Sequence, residues 1–390
     1  MGGTKGPLLE ELVRDYFGRQ GYFALRSVLF QFDGDDVTDV DVWLYSRHAA
    51  SARVRAIVDV KNKKSPKAFE RVLWIKGLQT ALHCDRAFIA TTDATEKLMA
   101  FANSVQISVL SKGFLDRLEK KLTLPSRLSL EEFLSKIQSN PAQKQDGDWI
   151  RAITHAKSAL ISRPAFPAFN SAISTFRFFA ERAEVRAQHR DAAIRATWLC
   201  ASLACIALDA ALQRLVFEDG DRRFRGIIAG VNFGDSGDGK TLGNIQDALS
   251  VLTENLQNGR AIAAQARAQL DQRIAAIRAE IIAEYFVREA NAQHLFSVAK
   301  ELDDAAHAES LETTALSLDA KSILGVYADF VGVKRASIYI DANSQSRTSE
   351  YSMKARLPGE THLVDTSLAI DDESLPGTSP TASGRQKPLI

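Results

Sequence analysis

The chain has 390 residues, enough for two or three domains. Its 49 Lys and Arg against 48 Asp and Glu leave a net charge of +1, so bulk positive charge does not hold it to nucleic acid or to a membrane. Three scattered cysteines (Cys84, Cys200, Cys205) are too few for a disulfide framework, no Cys/His spacing matches a zinc site and no apolar leader follows the N-terminus, so a reducing cytoplasm is the expected compartment.

Residues 6–20 carry Leu8, Leu9, Leu12, Val13, Tyr16 and Phe17 on one helical stripe, and Gly21 supplies the stop. A strand is predicted over 22–32, a turn at Asp33-Gly34-Asp35-Asp36, a second strand over 38–45 and a third over 53–61. The last two alternate polar and apolar residues with a period of two, so each has one buried face. Asp59 and Lys61 point to the same face as Ile57, while Val58 and Val60 point the other way. An acid and a lysine at the end of an apolar strand are costly unless something pairs with them. Asp41 on the neighbouring strand completes a set, Asp … Asp-x-Lys, that can hold a divalent cation and place an ammonium beside an attacking water. Asp39 shares the face of Asp41 and is the alternative ligand. Asp41 is favoured because Val42-Trp43-Leu44 continue the strand after it. Pro66 opens a helix that runs to about 82, followed by a strand over 86–92, a helix over 94–103, a strand over 105–110 and a helix over 113–122.

This order, αβββαβαβα with Asp41 and Asp59-Val60-Lys61 at its centre, resembles the PD-(D/E)xK nuclease superfamily, the fold of many restriction and repair endonucleases. Leu9-Glu10-Glu11-Leu12-Val13, Gln20-Gly21-Tyr22, Asp39-Val40-Asp41-Val42, Asp59-Val60-Lys61, Phe88-Ile89-Ala90-Thr91-Thr92 and Ala100-Phe101-Ala102 are similar to stretches of Mrr-type restriction endonuclease domains. The resemblance covers roughly the first third of the chain. It departs from the Mrr pattern at Asp36-Val37-Thr38, where glycines are usual, and at Asp59, where Gln is frequent. Asp is the acid of the wider superfamily, which favours an active site.

The resemblance implies an α/β restriction-endonuclease-like domain over 1–124. It also implies an endonuclease dependent on Mg²⁺ or Mn²⁺ that hydrolyses phosphodiester bonds of DNA in restriction, anti-phage defence or repair. Asp41, Asp59 and Glu10 would bind the metal together with the Val60 carbonyl. Glu10 stands where the family has its helical glutamate, with Glu11 as the alternative. Lys61 would orient or deprotonate the water and contact the phosphate. Lys63, Lys64 and Lys67 follow closely and are candidates for nucleic-acid backbone contact. Gln79, on the second helix, is a candidate for substrate contact by position. Residues 1–127 hold 20 Lys and Arg against 15 Asp and Glu, a modest +5, so nucleic-acid binding rests on the motif rather than on charge. The competing reading is a non-catalytic nucleic-acid-binding or scaffold protein on a decayed nuclease fold.

Residues 125–148 read as a linker with one small helix over 130–137. From 149 to 342 an all-α domain for recognition or oligomerisation is expected, with only 225–233 and 336–341 strand-like. Its most apolar stretch, 196–208, is bounded by Arg195 and Asp209 and is too short to cross a bilayer. Leu270, Ile274, Ile277, Ile281 and Tyr285 fall on one face of a predicted long helix, preceded by a break at Asn258-Gly259. That stripe suits a partner helix, most simply from a second copy in a homodimer. Residues 234–241 formally match a P-loop, but no later strand offers a metal-binding Asp, and Asp235 and Asp238 would set negative charge beside phosphates. A loop joining two helices is preferred there. From 343 the tail is rich in Ser, Thr, Pro and Gly and is expected to be disordered.

Overall fold

A computed structural model describes residues 5–340 except 62–66, 93, 122–126, 141–144, 186–188, 237, 255 and 313. Lys63, Lys64 and the tail from 343 therefore lie outside the described residues. The N-terminal elements run α1 (Lys5–Arg19), β1 (Phe23–Phe32), β2 (Asp35–Arg47), β3 (Arg53–Lys61), α2 (Ala68–Ala81), β4 (Arg86–Thr91), α3 (Glu96–Ser104), β5 (Ile107–Leu110) and α4 (Lys112–Lys121). Their order is the one the hydrophobic patterning predicts. Strand β2 starts earlier than expected because the turn is only Asp33-Gly34, with φ of 50° and 93°. Two successive positive-φ residues make the tight hairpin whose twist matches the flanking strands, so pairing resumes at once with Phe32 opposite Asp35.

The five strands lie in the order β1-β2-β3-β4-β5. The first three are antiparallel, and β4 and β5 join in parallel through the crossovers α2 and α3. On one face Val42, Leu44, Val58, Val60 and Ala90 pack against Val13 and Phe17 of α1 and Leu115 and Leu118 of α4. On the other, Trp43, Tyr45, Ile57 and Ile89 pack with Val72 and Ile75 of α2 and Leu98 of α3. That second core does not end at the sheet. It continues through Trp149 and Ile153 into the helical part.

The helical part comprises α5 (Leu130–Gln138), α6 (Trp149–Ser162), α7 (Ala165–Val185), α8 (Arg190–Leu212), α9 (Gly220–Phe233), α10 (Asp238–Thr253), α11 (Gly259–Ala275), α12 (Glu280–Phe286), α13 (Glu289–Gln293), α14 (Leu295–Ala306) and α15 (Leu318–Val331). Within the segment expected to be a linker, α5 is opened by a reciprocal Ser129/Glu132 cap and buries Phe133 and Ile137 in the shared core. Helix α8 is the central post, with both flanks packed by α7 and α14. With its terminal turn it spans Arg190–Leu215 and is long and apolar enough to cross a membrane, yet 89% of its apolar window is buried inside the protein. The apolar run outlasts its expected bounds because both bounding charges are internal. Arg195 donates to the carbonyls of Ala306, Ala308 and Glu309, and Asp209 accepts from Tyr45, Arg47 and Arg53 of the sheet.

Three expectations for this part are corrected. Residues 225–233 belong to helix α9, and 336–341 give a 3-10 turn at Arg335–Ile338 instead of a strand. The preferred reading of Gly234 as a joint between two helices stands, since α9 precedes it and α10 follows, where a phosphate loop requires a strand before it. The long helix of the 270–285 stripe is cut into α11 and α12, with Arg278 at φ 55° between them. Ile277, Ile281 and Tyr285 pack against the chain's own core, so that part of the stripe has its partner within the molecule.

Asp209 is 1% exposed and takes two guanidiniums and a phenol from β2 and β3. Removing one side of a buried ion group leaves the other uncompensated. Asp209→Ala should therefore destabilise the protein by about 3–5 kcal/mol. Urea unfolding of both proteins should show one transition for sheet and helices alike; two separable transitions would contradict the shared core.

Candidate functional site

Pairing of Val42 with Val58 sets the register of β2 and β3, and Asp41 and Asp59 come next in line on the two strands. Asp41 Oδ2 accepts the Val60 N–H at 2.6 Å and stands 3.4 Å from Lys61 Nζ. Lys61 Nζ is 3.8 Å from Asp59 Oδ1. The three side chains thus meet at the end of the sheet where β3 stops. Asp59 is buried, Asp41 is mostly so, and the Lys61 side chain keeps 42% of its surface exposed. Its ammonium faces both carboxylates while part of its surface meets solvent.

Glu10 stands on α1, whose apolar side packs on the opposite sheet face, near enough for its carboxyl to feel the charges of Asp41 and Lys61. Its Oε2 accepts from Arg26 at 3.1 Å. Burial pushes the Glu10 carboxyl above its ordinary value, against the pull of Arg26, and the charge of Asp41 pushes the same way. The Asp41 carboxyl is raised too, by burial first, with the Val60 N–H and Lys61 opposing and the charge of Asp59 adding to the rise. Glu11, the alternative to Glu10, behaves differently. Burial would raise it, but Arg14 and Arg26 carry it below the ordinary range, and it is spent in ion pairs with both. Asp39, the alternative to Asp41, is exposed, and its charge acts on the buried Lys157.

Arg71, which sequence reasoning missed, completes the constellation. From the first turn of α2 its guanidinium donates through Nε to Asp59 Oδ2 at 2.7 Å and through a second nitrogen to Oδ1, engaging both oxygens. The same guanidinium lies 4.1 Å from the centre of the Trp74 ring. The available signal was the helix periodicity: with Val72, Ile75 and Leu78 buried, Arg71 and Trp74 flank the buried stripe. Arg26 was also missed. Its buried guanidinium binds Glu10, Glu11 and, from α5, Glu131.

Two further candidates are placed apart from the carboxylates. Gln79 is buried, donates to the Asp85 carbonyl and accepts from Lys76. Helix α2 runs back along β3 and β4, so its last turn lies at the start of β4, away from Lys61 and Thr91. Lys67 is exposed, pairs with Glu70 at 3.1 Å and lines a cleft of about 460 Å³ beside Lys61. A groove of about 1410 Å³ runs between the β1–β2 hairpin and α6 and α7, and its lining does not include Asp41, Asp59 or Lys61. Among the described residues no three Asp, Glu, His or Cys side chains stand as a ready-formed cation site.

The raised Glu10 carboxyl has a consequence for stability. A group whose folded pKa lies above its unfolded one favours the folded state at low pH, and that contribution is lost as pH rises through the folded value. Glu10→Gln removes the charge but keeps an acceptor for Arg26. In chelator at neutral pH the variant should unfold at a modestly higher temperature than the parent, and the gap should close below the ordinary value of 4.5. A lower melting temperature for the variant at neutral pH would contradict a Glu10 carboxyl raised by its burial.

Comparison with protein-family models, with curated proteins and with solved structures gives no match, so the chemistry of these residues is what describes the site.

Proposed function

We infer that the chain is a metal-dependent endonuclease that hydrolyses phosphodiester bonds, with DNA as substrate, on a restriction-endonuclease-like α/β plan of the PD-(D/E)xK kind. The observation that carries this reading is the meeting of Asp41, Asp59 and Lys61 at one corner of the sheet, with Lys61 Nζ 3.4 Å and 3.8 Å from the two carboxylates. By analogy with such two-part chains, the role is restriction, anti-phage defence or repair.

The donor set suits a hard cation such as Mg²⁺ or Mn²⁺, which prefers oxygen ligands. Asp41, Asp59 and Glu10 would hold it, with the Val60 carbonyl. The Glu10 and Asp41 carboxyls are raised by burial first, and a cation bound between them would offset the cost of keeping them charged there. Bound there, the cation would polarise a phosphoryl oxygen and acidify a water. The chain's own groups do the rest. Asp41 fixes Lys61 by accepting from it, and Lys61 presents an ammonium to a phosphate oxygen or to the attacking water. Arg71 must release Asp59 before that carboxylate can ligate, and the freed guanidinium stays in the cleft that Lys61 lines.

The Arg71–Asp59 pair also supports a second reading. An arginine held on both oxygens of Asp59 already supplies a positive charge, as in a nucleic-acid-binding or scaffold protein that has lost its metal. Titration calorimetry separates the two. Binding of Mn²⁺ that is lost in Asp59→Ala supports the enzyme; absence of binding, with no cleavage, supports the scaffold.

Asp59→Ala and Lys61→Ala should each lower the cleavage rate by on the order of a thousandfold while the fold persists, because ligand and ammonium act as one unit. The assay is plasmid and single-stranded DNA incubated with Mg²⁺, Mn²⁺ or EDTA, with circular dichroism as the folding control. Variants that cut as well as the parent would put the active site elsewhere.

A further inference from the structure

We propose that the cleft between β3 and α2 is a subsite for single-stranded nucleic acid, in which an unpaired base stacks on Trp74 and the adjoining phosphate is met by Arg71, Lys61 and Lys67. This deepens the nuclease reading and rests on it for the position of the scissile bond, although the binding itself needs no cleavage.

Three observations meet in one place. The cleft, about 460 Å³, is lined by Lys61, Lys67, Arg71, Trp74, Ile89 and Thr91, together with Ala68 and Glu70. Its volume lies within the roughly 300–1,000 Å³ of sites that enclose a small ligand. Its own lining carries three basic side chains and one acid, Glu70, which is 68% exposed at the rim in its pair with Lys67, while Lys61 and Arg71 also face Asp41 and Asp59 at the inner edge. A cationic groove follows a phosphate backbone without reading sequence.

The second observation is the indole. Of the four tryptophans, Trp43, Trp149 and Trp198 are at most 2% exposed, whereas Trp74 is 36% exposed. The fold does not require it there, because α2 already buries Val72, Ile75 and Leu78 against the sheet. Phe69 and Leu73, both exposed, extend the apolar surface on the same helix. An aromatic face among cations is the arrangement that takes an unstacked base with its phosphate.

The third is adjacency. Lys61 belongs both to this cleft and to the carboxylate corner, and Arg71 bridges the two, being on Asp59 and over Trp74 at once. A chain whose base lies on Trp74 brings a neighbouring phosphodiester toward Asp41 and Asp59. Bases inside a duplex keep their faces covered by their neighbours, so only an unpaired base can use this platform.

The test uses full-length protein in EDTA, so that no cleavage occurs, with a short oligothymidylate as probe and tryptophan emission as readout. Trp74 is the tryptophan a ligand can reach, and its emission should be quenched saturably, the more weakly the higher the salt. Trp74→Ala should abolish the quenching and weaken binding, measured separately by anisotropy of labelled oligonucleotide, by roughly ten- to a hundredfold. Trp74→Phe should retain most of the affinity. A duplex of the same length should bind at least about tenfold more weakly than the single strand and leave the emission unchanged. Binding without quenching, unaltered binding by Trp74→Ala, equal quenching by duplex, or no binding of oligothymidylate would each overturn the subsite. If the quenching is as expected but neither Mg²⁺ nor Mn²⁺ supports cleavage, the nuclease reading fails and the subsite stands.

Discussion

Carboxylates held out of water at one corner of a sheet are costly unless cations or N–H groups meet them, and the partners of Asp41, Asp59 and Glu10 answer that cost. Asp59 is the most deeply buried of the three, and a buried carboxylate is costly without a partner. It has the firmest partner, the two-pronged Arg71. Asp41 is less enclosed and makes do with a backbone N–H and a lysine ammonium at 3.4 Å. Glu10 shares its arginine with two other acids and sits with a raised pKa. The cationic contacts are firmest at Asp59 and looser at Asp41 and Glu10, whose carboxyls burial keeps raised.

Arg26 carries this local balance outward. Its guanidinium is nearly fully enclosed and touches Glu10 and Glu11 on α1 and Glu131 on α5. Its own backbone carbonyl accepts from Lys157 on α6, an ammonium that burial has pushed down to about 8. The position of Glu10 therefore depends on two helices that lie far along the chain. Mutual desolvation makes such a network stiff, since any member withdrawn leaves another charge in a medium that does not solvate it. Through Arg26 the helical part thus helps to hold Glu10 in place.

Most of the sheet region was legible because its signals are local. Period-two alternation in β2 and β3 put Asp59 and Lys61 on one face, and the register with β2 brought Asp41 beside them. Lys61 and both aspartates were accessible to that logic, and Glu10 through the family resemblance. Arg71 was not, because its role depends on how α2 is rotated over β3, which no periodicity within α2 fixes by itself. Gln79 was misplaced for the related reason that a position on a helix does not say which end of the strand it overlies. Arg195 and Asp209 read as the charged ends of an apolar run, but their partners lie more than 100 residues away, and both are buried. Long-range pairing is what turns a sequence boundary into a core residue.

The same pairing explains why the chain does not divide where its composition changes. The sheet face that bears Asp59 also bears Trp43, Tyr45 and Ile57, and Tyr45 rests against Phe296 of α14 while its hydroxyl donates to Asp209 of α8. Apolar surface on that face exceeds what α2 and α3 can cover, and the helical part covers the remainder. The polar groups of that face, Asp59, Lys61 and Arg71, gather at the end of β3, where the Lys61 side chain keeps 42% of its surface exposed. The carboxylate corner and the Trp74 cleft share Lys61 and Arg71, so catalysis and strand capture would draw on the same two side chains.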